Sequence, residues 1–278
     1  MNEASGSETT VPMDDMLKTN RSHTVLAVLL PPLAAFVIIA SIWEITVRAL
    51  ELPAYILPAP SRIWASLIKD GGSILGHTGI TLFEAVVGFT IGSVLGALLG
   101  IVFAYSRLLA RGLLPYVIAT NTIPVVAIAP IIILWFGHGI ESKIAVTAFL
   151  SFFPLALNMM KGLQSYDHTI MDVFHVAAAS NFQRFAKMRL PSSLPFVFVG
   201  LKLNVTFSVI GAIIAEFIQA DRGLGFVIMT AYRTLNMPRL WAAMLMSAII
   251  GILFFALVAL IERWLIPWHS SMRDHRQG

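Results

Sequence analysis

The chain has 278 residues, 57% of them hydrophobic and 12% charged, with 19 Lys and Arg against 15 Asp and Glu. A soluble domain carries about 25% charge, so this composition excludes an ordinary cytosolic enzyme, and its apolar excess excludes disorder. The net charge of +4 reads as loop charge of a membrane protein and not as a nucleic-acid footprint, and zero cysteines exclude disulfides, thiolate metal sites and cysteine nucleophiles.

Residues 1–24 are polar and of mixed charge, and are expected to form a cytosolic tail. The apolar run after them is too long for a signal-peptide core and has no small-residue cleavage site, so it reads as a retained span. A spanning helix needs about 20 mostly apolar residues. Six segments meet or approach that length: 25–47, 80–105, 112–135, 144–160, 196–218 and 240–266. Lipid cannot satisfy stray backbone groups, so each is expected to be helical. With the N-terminus inside, 11 basic residues fall on the cytosolic side and 7 on the outer side, with Lys202 inside the fifth span. That bias favours both termini inside. The expected layout is a first transmembrane helix at 25–47, an outer connecting segment at 48–76, five helices within 77–266, and a cytosolic tail at 267–278. The outer segment holds Leu57-Pro58-Ala59-Pro60 and a short amphipathic stretch at 61–69.

The second span carries Gly88, Gly92, Gly96 and Gly100, each four residues apart, with Glu84 one step earlier. Small residues at that spacing let another helix backbone approach closely, so this stripe predicts helix packing. The third span contains Pro115, Pro124 and Pro130. Proline breaks the hydrogen-bond ladder, and such breaks inside membranes often line a pathway. Asn121, Thr122 and Pro124 are therefore candidate pathway residues, with a plain kinked helix as the other reading. In the fifth span Asn204, Thr206 and Ser208 are further pathway candidates. Lys202 reads as a snorkelling side chain, and Glu216 either faces a bundle interior or sits in the outer interface.

The inner link, 161–195, is the most informative stretch. Residues 172–190 read as a helix whose apolar anchors Phe174, Phe182, Phe185 and Met188 alternate with Arg184, Lys187 and Arg189. Pro191 and Pro195 are expected to stop it before the fifth span. A basic amphipathic helix there lies on anionic lipid or docks into a partner's groove. No Gly-Lys dipeptide exists, so there is no phosphate-binding loop of that kind. No metal-ligand spacing, nucleophile elbow or cluster of titratable groups points to a metal or to catalysis.

The stretch from Ala178 to Pro195, AASNFQRFAKMRLPSSLP, resembles the cytosolic "EAA" loop of ABC-importer permeases. That pattern reads Glu-Ala-Ala, three residues, Gly, nine residues, a hydrophobe, one residue, Leu-Pro. Met188 fills the hydrophobe position and Leu190-Pro191 matches outright. Ala178 stands at the Gly position, and Asp172, Val173 and Phe174 stand where Glu-Ala-Ala would be. Ile56-Leu57-Pro58-Ala59-Pro60-Ser61, Thr122-Ile123-Pro124, Ile133-Leu134-Trp135-Phe136-Gly137, Phe153-Pro154, Gly223-Leu224-Gly225 and Ile266-Pro267-Trp268-His269 look like the nitrate/sulfonate/taurine branch.

The resemblance implies an all-α integral membrane protein of type-1 ABC importer permease fold, with six transmembrane helices and both termini cytosolic. Residues 77–266 would be the type-1 domain and 161–195 its coupling loop. Asp172, Ala178, Phe182, Arg184, Phe185, Met188, Leu190 and Pro191 would face the motor. The implied partners are a second copy of this chain, two cytosolic ATPase subunits, an extracytoplasmic binding protein and the lipid bilayer of a bacterial inner membrane, with no nucleic acid. The chain would be non-catalytic and hold no cofactor, ATP and Mg residing on the ATPase. The branch imports nitrate, sulfonates and taurine, and also thiamine's pyrimidine precursor and riboflavin-like heteroaromatics. Val209-Ile210-Gly211-Ala212 and Thr122-Ile123-Pro124 look slightly more like the pyrimidine-precursor importers. An ion-coupled secondary transporter or channel, prompted by the broken third span and Glu216, is the alternative.

Overall fold

The computed structural model describes residues 13–266, with side chains from Leu30 onward except that of His168. The expectations for 1–12, for 267–278 and for the closing Pro267-Trp268-His269 fall outside the described residues. The chain divides into two compact units, 1–62 and 63–278.

In the first unit, helix α1 (Met13–Ala49) starts inside the segment expected to be a cytosolic tail. Its Leu30–Ala49 portion is apolar enough to cross a membrane, and Leu33, Phe36 and Ile39 are exposed. Near its end, Glu44 accepts the Ser61 backbone N–H at 3.0 Å and the Ser61 hydroxyl at 2.8 Å, and it pairs with Arg48 at 2.6 Å. The carboxylate thereby satisfies an orphan donor in the first turn of α2 (Pro60–Tyr105).

That helix starts at Pro60, not at the apolar run from residue 80, so much of the expected outer connecting segment is helical. Its 46 residues, at about 1.5 Å each, span roughly twice a hydrocarbon core of about 30 Å. The other helices of the second unit are α3 (Arg107–Thr122), α4 (Val125–Phe136), α5 (Ile140–Gln164), α6 (His168–Val176), α7 (Asn181–Arg184), α8 (Leu190–Ile218), α9 (Leu224–Arg233) and α10 (Met237–Leu265). No strand occurs among the described residues.

Two sequence expectations need correcting. The third span is not one kinked helix. Its halves, α3 and α4, meet at 101° across Ile123-Pro124. Proline at the start of α4 gives up only a donor that the first helical turn leaves unpaired anyway. Among the described residues, five helices are thus long and apolar enough to cross a membrane, or six with the bent pair taken as one span. Second, Pro191 and Pro195 do not stop a helix. A π turn at Phe185–Arg189 runs straight into α8, and the Leu190 N–H bonds the Phe185 carbonyl. The wider turn shifts the ladder, so the missing proline donors are absorbed at the entry to α8.

Helices α5 and α8 pack against each other along their length and α10 packs on α8. Ala129, Ile132, Val146 and Ala215 bury the contact of α4, α5 and α8, and Phe198, Val205, Phe254 and Val258 that of α8 and α10. The glycine stripe of α2 lies against α5. A Cβ on Gly92 would stand 2.5 Å from the Ala148 carbonyl oxygen, and one on Gly100 2.6 Å from that of Ala156. One on Gly96 would strike the Phe152 carbonyl. These neighbours are backbone and cannot rotate away.

Gly96→Val should therefore cost about 1–3 kcal/mol, typical of overpacking. Gly251→Val in α10, where nothing lies within 4 Å, should be tolerated. Thermal unfolding of both variants in detergent checks this; equal midpoints would remove the stripe as a packing seam.

Candidate functional site

Three arrangements in the second unit gather polar chemistry in an apolar chain. The first closes around Glu216, near the end of α8 and 1% exposed. The loop after α8 carries Gly223-Leu224-Gly225 and opens α9. The first N–H groups of a helix have no intrahelical partner. Here all three amides find side chains: Gly223 N–H donates to His77 Nδ1 at 3.0 Å, Leu224 N–H to Thr81 Oγ1 at 2.8 Å and Gly225 N–H to Glu216 Oε2 at 2.5 Å. The Thr81 hydroxyl donates onward to Glu216 Oε1 at 2.7 Å. Gly223 has φ +100°, and a Cβ there would occupy the space of the Glu216 carboxylate. Only glycine fits both the backbone and the space.

The Glu84 carboxyl lies beside that of Glu216, and Lys143 Nζ stands 4.0 Å from Glu84 Oε1. All three side chains are buried. Lys143 comes from α5, whose Thr147 hydroxyl donates to the Lys143 carbonyl at 2.8 Å. Glu216 is thus an interior residue and does not sit in an exposed interface. Beside it an open cavity of about 470 Å³ is lined by His138, Gln219, Asp221, Phe226, Thr230 and Arg233.

The second arrangement concerns the pathway candidates, which do not form one cluster. Asn204 is buried and its Nδ2 donates to Ser93 Oγ at 2.9 Å, tying α8 to α2. Ser208 is buried and its hydroxyl donates to the Val205 carbonyl at 2.8 Å. Thr206, on the other side of α8, is exposed. Asn121, Thr122 and Pro124 are exposed at the 101° bend. The Thr122 hydroxyl is turned back onto the Ala119 carbonyl at 2.7 Å. Lys202 pairs with Glu262 of α10 at 2.5 Å.

The third is the corner between α5 and α8. The expected single helix over 172–190 is two helices separated by a sharp turn. Asp167 caps α6 by accepting the Thr169 N–H at 2.7 Å. The helix ends with Ala179 N–H bonded to the Phe174 carbonyl at 3.0 Å and Ala178 at φ +49°. This is the left-handed closing position that favours glycine. It is also the Gly position of the EAA pattern, so the alanine here sits in a conformation its Cβ disfavours. Ser180 and Gln183 form a capping box that starts α7. Phe182 is 75% exposed on α7. Phe185 is half-buried, its ring 6.3 Å from that of Tyr105. Met188 is buried, and Leu190 and Pro191 are half-buried. Arg184 reaches His175 at 2.6 Å and Asn181 Oδ1 at 2.9 Å, and Asp172 is exposed.

His77, Thr81, Lys143 and Glu84 were not among the sequence candidates. His77, Thr81, Glu84 and Gly88 follow the i, i+4, i+7, i+11 spacing of one helix face, and that spacing was the available signal. Nothing local ties them to Gly223-Leu224-Gly225, more than 130 residues away.

A sequence profile described as "Binding-protein-dependent transport system inner membrane component" matches residues 88–268. The chain is 35% identical over 243 residues to the formylaminopyrimidine transport permease protein of Halalkalibacterium halodurans, covering 87% of this chain and 97% of that one. It is 32% identical to the riboflavin transport system permease protein of Chloroflexus aurantiacus, over 82% of this chain and 86% of the relative. To a putative aliphatic sulfonates transport permease protein of Bacillus subtilis it is 31% identical, over 84% and 86%.

Hydrogen bonds to a charged group contribute about 1.5–3 kcal/mol, so Glu216→Ala should speed exchange of the Gly225 amide roughly ten- to a hundred-fold. Thr81→Val should do the same at Leu224. Hydrogen exchange read by mass spectrometry measures both; unchanged protection at 223–225 would dissolve the clamp.

Proposed function

The chain belongs to the binding-protein-dependent transport system inner membrane component family, and from that membership we propose that it is the permease subunit of an ATP-driven importer for a small heteroaromatic solute. The observation that carries the reading is the corner at 168–191. It is a short, fully capped helical turn that presents exposed Phe182 beside Arg184 while Met188 anchors it in the bundle. An exposed aromatic with a fixed base suits a partner's groove. In this reading two ATPase subunits hold ATP and Mg and receive Asp172, Phe182 and Arg184 on the cytosolic side. Ala178, Phe185, Met188, Leu190 and Pro191 give the corner its shape. Both termini are cytosolic, and the protein is a multi-pass component of a bacterial inner membrane.

A second copy of the chain completes the pathway. The exposure of Asn121, Thr122 and Thr206 on a single chain supports this, since polar groups at membrane depth need protein or water around them. An extracytoplasmic binding protein delivers the solute. ATP-driven closure of the ATPases then rocks the corner and opens the pathway to the other side. The chain supplies positioning and motion and no covalent chemistry. The ion-coupled alternative drew on Glu216, but that carboxylate is engaged by Thr81 and Gly225 and holds a loop.

The substrate class rests on the lining of the cavity and on the pairing of two interior lysines. Lys143 of α5 and Lys202 of α8 each face a glutamate, Glu84 and Glu262. Neither is left over for a sulfonate or nitrate. The cavity beside the clamp offers Phe226 for stacking and Gln219, Thr230 and Asp221 for ring nitrogens and amines, with Arg233 as its one lining arginine. Names of two relatives point the same way: formylaminopyrimidine and riboflavin. We therefore favour a thiamine pyrimidine-precursor or riboflavin-like solute over an anion of the nitrate, sulfonate or taurine kind.

Inactivating the ATPase should abolish uptake, and Phe182→Ala should weaken its association about tenfold or more, as for a buried aromatic anchor. Uptake that persists with a dead ATPase sinks the permease reading; it is measured in intact cells and the association by co-purification. For the substrate, unlabelled aminopyrimidine should compete with uptake while nitrate and alkyl sulfonates should not. Competition by the anions alone would reverse the assignment.

A further inference from the structure

One cation stands among the contacts that tie the corner to the rest of the bundle. Arg189, the last residue of the π turn, is half-buried, with its guanidinium carbon 5.1 Å above the Tyr105 ring and 4.7 Å above the Tyr166 ring. Its Nη2 stands 3.3 Å from the Tyr166 hydroxyl. Tyr105 is the final residue of α2, and Tyr166 follows the end of α5. These are the two helices that the glycine stripe locks together. Phe185, one turn earlier, faces the same Tyr105. A flat guanidinium between two aromatic faces is a strong contact where water is scarce, and lysine cannot reproduce its geometry.

The route continues past Tyr105. Ser106 follows directly, and its hydroxyl caps α3 by accepting the Leu109 N–H at 3.2 Å. Helix α3 then leads without interruption to Asn121, Thr122 and the bend at Pro124. A π turn adds a place where the helix can reset its register without breaking. It sits directly between the exposed tip of the corner and α8.

We propose that Arg189 is the positioning residue that transmits displacement of the corner to α2 and α5 together, and through Tyr105 and α3 to the bend at Asn121-Thr122-Pro124. The proposal rests on the permease reading above. Without Arg189 the corner can still meet the ATPase through Phe182, but its movement does not reach α2 and α5.

The native chain has no cysteine, so a single reporter can be placed cleanly. The experiment uses the full chain carrying Asn121→Cys, assembled with its ATPase in proteoliposomes. The rate of labelling by a membrane-impermeant maleimide is compared without nucleotide and after trapping with ATP and vanadate. With Arg189 present, trapping should change that rate several-fold. Arg189→Ala should abolish the change while the ATPase still co-purifies, and Arg189→Lys should restore only part. Tyr105→Leu and Tyr166→Leu should lose it, whereas Tyr105→Phe and Tyr166→Phe should retain most of it, because the rings and not the hydroxyls do the holding. A wild-type response in Arg189→Ala overturns the tie. Should that variant fail to accumulate, a wild-type response in either leucine variant overturns it equally. A chain with Arg189 whose labelling ignores nucleotide fails at the earlier step, the permease reading itself.

Discussion

Where Gly88, Gly92, Gly96 and Gly100 meet α5, the two helices lie in close contact over about three helical turns, and every later feature is built on that contact. The hydrophobic effect gives helices no reason to associate inside lipid, so close van der Waals approach has to do it. The stripe makes α2 and α5 a single rigid pair. Asn204 with Ser93 fastens α8 to the same pair. Gly211 brings α8 close to Thr147 of α5, and Gly162 brings the end of α5 onto Ser193 and Phe196. The glycines of α5 and α8 thus repeat, at both ends of the seam, the device that α2 uses along its length.

Rigidity at one end is then spent on irregular backbone at the other. The turn into α9 meets the amides of Gly223, Leu224 and Gly225 with side chains. Placing a carboxylate, a hydroxyl and an imidazole from two helices against three consecutive N–H groups satisfies them in a way lipid cannot. The cost is a buried carboxylate, moderated by the donors it receives and by Lys143 across Glu84. Lys143 meets Glu84 and Lys202 meets Glu262, so these two interior lysines are matched by opposite charge.

The six apolar runs were readable because a bilayer imposes a length and a composition that no other environment demands. The ends of the helices were not. The first half of α2 carries Arg62, Lys69 and Asp70, so it shows no apolar run, yet it is helical because nothing in it breaks the ladder. Pro191 looked like a stop because proline usually is one, and a five-residue π turn changed its meaning. Gly223-Leu224-Gly225 stood out as a motif, but part of its reason, the Leu224 N–H meeting the Thr81 hydroxyl, exists only once residues 143 positions apart are adjacent. Ala178 shows the reverse. Its mismatch to the EAA pattern was plain in the sequence, and its left-handed φ explains why glycine is the residue that pattern carries.

The rigid pair and the corner impose opposite mechanical demands. A seam that touches backbone to backbone can translate or tilt as one body but cannot bend. The corner is short and capped at each of its turns by Asp167, Ser180 and Gln183, so it too resists bending. Movement between two stiff bodies has to concentrate in what joins them. On the α8 side that joint is the π turn, which tolerates a change of register. On the α2 and α5 side it is the aromatic sandwich around Arg189, which grips Tyr105 and Tyr166 together and so carries displacement of the corner into both helices. A chain arranged this way converts a push at Phe182 into motion of whole helices, and the one span already broken, at Pro124, is where such motion can open a path without breaking the seam.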